Sequence, residues 1–185
     1  VSNMADKVDA FFRAWDFHKA GREIERFIVD DLSNWYVRRS RRRLWDEAES
    51  ADKAACHHTL REVLLVTCRI MAPIAPFMPD RIHRDLTGAS VHLADWPCGS
   101  ETLDSTLPPR DAKLESRMAL ARNLAEAGRR IRVESSRRQR LPCRKGWIVG
   151  DADVGDLKDI LSEELNVESL AVSYTHLRAH ETQRN

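Results

Sequence analysis

The sequence predicts a mainly α fold, a helical bundle over residues 1–97 followed by a small, incomplete α+β unit over 111–172. Three observations point there. Apolar residues recur at helical spacing through the first part, short apolar runs of β type replace them after Arg132, and a stretch rich in proline, glycine and serine lies between. That stretch, 98–110, reads as a linker.

The elements follow in order. A helix from Met4 to about Ala14 precedes a short break at Trp15-Asp16-Phe17-His18, from which a long helix starts. Ile24, Phe27, Ile28, Leu32 and Trp35 fall on one of its sides, a core-facing stripe that makes Trp35 a core residue. A second long helix covers Lys53 to Ala72, with Leu60, Val63, Leu64, Thr67, Ile70 and Met71 at core spacing, and Pro73 ends it. Pro76-Phe77-Met78-Pro79-Asp80 reads as the next helix start, with proline in the first turn and an acid near the positive end of the helix dipole. That helix carries Ile82 and Leu86 and stops at Gly88, after which Ser90-Val91-His92-Leu93 reads as extended. From Asp111 to Arg132 the pattern is helical, with Leu114, Met118, Ala121, Leu124, Ala125 and Ile131 on related faces. Trp147-Ile148-Val149 and Glu168 to Val172 read as strands around a helix from Val154 to Leu165.

Composition excludes several classes. The 185 residues suffice for a real hydrophobic core, and the net charge of +1 hides local segregation of basic residues. Cys56, Cys68, Cys98 and Cys143 form no C-x-x-C pair, so neither a zinc site nor a disulfide framework is suggested, and reduced cytoplasmic thiols are the default. No apolar run is long enough for a membrane span, and no leader opens the chain. Val1-Ser2 leads straight into a helical pattern, so the bundle reads as N-terminally truncated, an internal piece of something longer. Ser173 to Asn185 departs abruptly in composition and reads as a non-native tail, which makes the i, i+4 spacing of His176 and His180 an accident. His57 and His58 are adjacent on a helix and point about 100° apart, too divergent to chelate one metal.

The informative stretch is Asp30 to Trp45, where the apolar stripe runs into Arg38, Arg39, Arg41, Arg42 and Arg43, flanked by Trp35 and Trp45. Like charges at helical spacing repel, so these five guanidiniums need partners. Carboxylates at Asp30, Asp31, Asp46, Glu47 and Glu49 are one source. A polyanion such as RNA is the other, because arginine forks phosphate and stacks on bases, with Trp35, Tyr36 and Trp45 as platforms. A second basic region runs from Arg117 to Lys145, where ten basic residues face only Glu126 and Glu134.

Three segments resemble the anticodon-binding region of isoleucyl-tRNA synthetases, which are class Ia aminoacyl-tRNA synthetases. FIVDDLSNWYVRRSRRRLW (27–45) resembles the family's signature helix, KAACHHTLREVLLVTCRIMAPIAPFMPDRIHRDL (53–86) its next two helices, and SVHLADWP (90–97) the stretch that closes the bundle. GRRIRVESSRRQRLP (128–142) and EELNVESL (163–170) resemble the post-bundle region of the longer, archaeal- and eukaryote-like isoleucyl enzymes. The valyl cousin carries an acidic residue after Trp-Tyr instead of the Arg-Arg-Ser-Arg-Arg run, so that run favours the isoleucyl branch.

The resemblance implies an antiparallel bundle of the class Ia anticodon-binding type. It implies a cytoplasmic, monomeric parent that joins isoleucine to its tRNA, using ATP and magnesium in a catalytic domain marked by HIGH and KMSKS motifs. Neither motif occurs here, and no catalytic residue, metal ligand or cofactor site is expected in this chain. The expected partners are isoleucine-accepting tRNA and the parent's catalytic domain. RNA contact is expected at Arg38, Arg39, Arg41, Arg42, Arg43 and Trp45, with Arg130, Arg132, Arg137, Arg138 and Arg140 as a second basic surface. The alternatives are an Arg-rich helical protein-interaction module and a valyl-type anticodon domain.

Overall fold

The computed structural model describes residues 1–97, 111–150 and 154–173. The chain divides into two compact units, Val1–Arg110 and Asp111–Asn185. The expected linker at 98–110, Cys98 and all of the expected tail beyond Ser173, with His176 and His180, lie outside the described residues.

In the first unit, helix α1 (Ser2–Arg13) ends at a corner where Trp15 takes a left-handed φ of 57°. Asp16 then starts α2 (Phe17–Arg26) by accepting the Lys19 amide at 3.2 Å, and its carboxyl is held below the ordinary range by the Lys19 side chain and amide. The helix continues past Trp35. It passes into a π-helical stretch, Phe27–Val37, and continues as α3 (Arg38–Leu44).

That stretch corrects the stripe read at 3.6 residues per turn. Bonds of the i→i+5 kind, such as Arg38 N–H to the Ser33 carbonyl, widen the turn and slow the rotation of side chains about the axis. The inward positions become Leu32, Tyr36 and Ser40, one every fourth residue. Trp35, expected in the core, is only half-buried, and its neighbour Tyr36 packs on the core instead. The Tyr36 hydroxyl donates to the Cys56 carbonyl at 3.3 Å, and burial raises its pKa.

Helix α4 (Ala51–Met71) begins at Ser50, whose hydroxyl accepts the Lys53 amide at 3.1 Å. The core joins Met4, Ala5 and Val8 of α1, Ala20 and Ile24 of α2, Phe27 and Leu32 of the π stretch, and Val66 and Ile70 of α4. Helix α5 (Phe77–Thr87) ends at Gly88, whose φ of 80° is where glycine is favoured.

The segment after Gly88 is not extended, as the sequence suggested, but forms a 3-10 turn, Val91–Leu93. Asp80 is the reason. Its Oδ1 accepts the Ser90 hydroxyl at 2.5 Å and the Val91 amide at 3.0 Å, while its Oδ2 accepts Arg84 Nε at 2.7 Å. Arg84 first, then Ser90, hold its carboxyl down to about 2. Trp96 then closes the unit on α1, edge-on to Phe12 at 5.4 Å and donating its Nε1–H to Asp9 at 3.1 Å.

In the second unit, Asp111 caps α6 (Ala112–Glu134) by accepting the Lys113 and Leu114 amides, both at 2.9 Å. Strand β1 (Cys143–Val149), a 3-10 turn (Gly155–Leu157), α7 (Lys158–Leu165) and β2 (Val167–Ser173) follow. The strands pair in parallel, with Lys145 opposite Ser169 and Val149 opposite Ser173. Expected as α+β, the unit is a parallel β-α-β crossover, because a parallel return needs a helix between its strands. Helix α7 lies so close to α6 that a Cβ at Gly128 would sit 2.5 Å from Leu165 Cδ2. Ion pairs Arg117–Asp156 at 3.1 Å and Arg129–Glu164 at 3.2 Å flank that approach.

Candidate nucleic-acid interface

The five arginines at the end of the long helix differ in their settings. Arg43 forks Asp52 through Nε at 2.7 Å and a terminal nitrogen at 2.6 Å, and that bonding raises its pKa. Arg38 Nε donates to the Asn34 carbonyl at 2.8 Å, where the wide ladder gives way to the α one. Arg39 lies over the Trp35 ring, its guanidinium carbon 5.6 Å from the centroid, and Arg41 lies over Trp45 at 5.8 Å. Arg42 is exposed, and no hydrogen bond or ion pair engages it among the described residues.

Self-neutralisation by carboxylates is therefore partial. Asp31 receives Arg26 and Glu49 receives Lys53, while Arg43 finds Asp52, which the sequence reading had not named. Trp45, 67% exposed at the end of α3, offers an indole already stacked by one cation. Outward guanidiniums beside an open aromatic ring can hold phosphate and stack a base.

The second basic region is built otherwise. Arg130, Arg137, Arg138 and Arg140 are exposed. Arg132 is not on that surface, and its expected place there is corrected: it is 6% exposed. Its guanidinium donates to the carbonyls of Arg138 at 3.1 Å, Gln139 at 3.3 Å, Leu141 at 2.8 Å and Asn166 at 3.1 Å, and reaches Cys143 Sγ at 3.1 Å. Asn166 adds its side-chain amide to the Gln139 and Arg140 carbonyls, at 3.3 and 3.1 Å. Arg132 thus shapes the loop that presents Arg137, Arg138 and Arg140.

Comparison with known proteins places this architecture. A family described as the anticodon-binding domain of tRNA ligases matches residues 1–146. The chain belongs to that family. Its curated relatives include isoleucine–tRNA ligase 2 of Bacillus cereus, 39% identical over 170 residues, 90% of this chain and 16% of the relative. The isoleucine–tRNA ligases of Streptomyces coelicolor and Thermobifida fusca are 41% and 43% identical over 178 residues, again 16% of each relative. The chain thus spans about one sixth of the length of these relatives.

No group of three or more potential metal ligands occurs among the described residues, and His57 and His58 are exposed. Cys56 and Cys68 are buried free thiols, and burial raises the pKa of Cys68. No helix among the described residues is long and apolar enough to cross a membrane. Sequence reasoning overlooked Trp147, which is 57% exposed on β1. Its signal was the alternation Lys145-x-Trp147-x-Val149, which puts three outward residues on one strand face.

Proposed function

We propose that this chain is the tRNA-holding part of an isoleucine–tRNA ligase and grips isoleucine-accepting tRNA at the end of its long helix. The observation that carries this reading is the outward presentation of Arg42, with Arg41 stacked on the exposed Trp45, in a chain that belongs to the anticodon-binding family. Phosphate contacts set the register of a protein on RNA, and unstacked loop bases take aromatic platforms. Arg38, Arg39 and Arg43, turned toward partners in the chain itself, orient the helix end against the RNA backbone. Arg130, Arg137, Arg138 and Arg140 form a second basic surface for RNA, in the second unit.

In the same reading the bundle helices run antiparallel in the class Ia manner, and the parent works in the cytoplasm as a monomer. ATP, magnesium and the joining of isoleucine to tRNA belong to the parent's catalytic domain, to which this chain is attached. This chain supplies no reacting group.

The test is salt-dependent binding of an isoleucine tRNA transcript. Each phosphate-paired arginine adds about one unit to the slope of log affinity against log salt, so Arg41→Ala with Arg42→Ala should lower it by about 2. An unchanged slope rules the reading out at this surface. Equal affinity for valine tRNA would favour the valyl-type alternative.

A further inference from the structure

The sheet of the second unit has one open face. Alternation along β1 turns Ile148 into the buried side, which leaves Lys145, Trp147 and Val149 exposed on the other. The strand beside them supplies only small side chains. Ser169 lies opposite Lys145, Ala171 opposite Trp147 and Ser173 opposite Val149. The result is a ledge, with a tall flat indole standing above a low neutral floor.

Charge decides what suits this ledge. Lys145 is its one ionised group, and no acid stands on the face from 145 to 149 or from 169 to 173. The loop that feeds β1 adds the exposed Arg137, Arg138 and Arg140, with its carbonyls held on the Arg132 guanidinium. An apolar protein segment laid here would cover the indole but bring no counter-charge to a cationic rim. A nucleotide brings both a flat base and a phosphate.

We propose that this sheet face binds unpaired RNA, with one base stacked on Trp147 and its phosphates met by Lys145 and the loop arginines. This site deepens the tRNA-holding reading, on which its use of Arg137, Arg138 and Arg140 rests, while its base platform, Trp147, lies in a different unit from the helix end.

The experiment measures binding of the 185-residue chain to a fluorescein-labelled, unstructured oligouridylate, and to isoleucine tRNA in parallel. Trp147→Ala should weaken oligonucleotide binding about tenfold, whereas Trp147→Phe, which keeps a ring, should stay within about threefold of the parent chain. Circular dichroism melts of both variants should match the parent, since the indole is largely exposed. Lys145→Ala should weaken binding and lower its salt slope by about 1. Three results would overturn the proposal: no oligonucleotide binding by the parent chain, equal losses for the Ala and Phe variants, or a self-associated parent chain that Trp147→Ala converts to monomer at unchanged RNA affinity. A chain that holds tRNA but ignores the oligonucleotide keeps the helix-end reading and removes only this one. Trp147-dependent binding of the oligonucleotide, together with tRNA binding that is indifferent to Arg41 and Arg42, does the reverse.

Discussion

At the end of the long helix arginines look outward, whereas at the end of α6 one arginine looks inward, and the difference lies in the backbone each meets. Along Arg38–Leu44 the chain stays helical, so its carbonyls are largely taken by the ladder. Among the partners of the side chains there are two indole rings, the Asp52 carboxylate and the Asn34 carbonyl at the ladder's junction. After Glu134 the chain turns back, and the carbonyls of Arg138, Gln139 and Leu141 converge on a single planar fork with five donors. Two arginine-rich runs that look alike in sequence therefore do different work, one displaying charge and the other spending one charge to fold a loop.

The comparison breaks most visibly at Arg132. Arg132→Ala removes a buried side chain and the donor that four carbonyls share, and should cost the second unit about 3 kcal/mol or more. Hydrogen exchange would show the loss in β1 and β2 amides, with bundle amides unchanged. Arg132→Lys should restore little, because one ammonium cannot span carbonyls from both Leu141 and Asn166.

Asp80 sharpens the contrast, since the bundle uses a carboxylate to fold its own returning segment. In the unfolded chain such a carboxyl titrates near 3.9, in the folded chain at about 2. As pH falls the unfolded form binds its proton first, so the stabilisation is full above about pH 4, shrinks below it and is gone under pH 2. The melting gap between the parent chain and Asp80→Asn should narrow across that window.

Arg43→Ala removes an exposed fork to Asp52 and should cost at most about 1 kcal/mol in a denaturant titration. Smallest of all is the stability effect of Arg41→Ala with Arg42→Ala, within about 0.5 kcal/mol, because these side chains fold nothing. A large destabilisation there would erase the distinction between displayed and structural arginines.

Much of the fold was legible in sequence because periodicity reports burial directly. Helices α1, α4, α5 and α6 and strand β2 fall where apolar spacing, the breaks at Trp15 and Pro73 and the stop at Gly88 put them, whereas β1 starts four residues before the expected Trp147 and α7 four residues after the expected Val154, behind a 3-10 turn. What escaped depended on partners the pattern cannot carry. Ser90–Leu93 curls because Asp80, ten residues earlier, captures its hydroxyl and amide. Arg132 is buried because backbone carbonyls surround it, and those leave no residue signature. Trp35 was assigned inward by counting 3.6 residues per turn through a stretch that turns more slowly.

That slower turn sets the compass bearing of everything downstream. A deletion between Phe27 and Val37 that is not matched by the change from the wide ladder to an ordinary α one would turn Arg38–Trp45 about the axis. Every guanidinium and indole would survive such a deletion, yet they would aim elsewhere. The heading of this charged tip is thus governed by uncharged residues such as Leu32 and Tyr36, whose own side chains lie turned toward the interior.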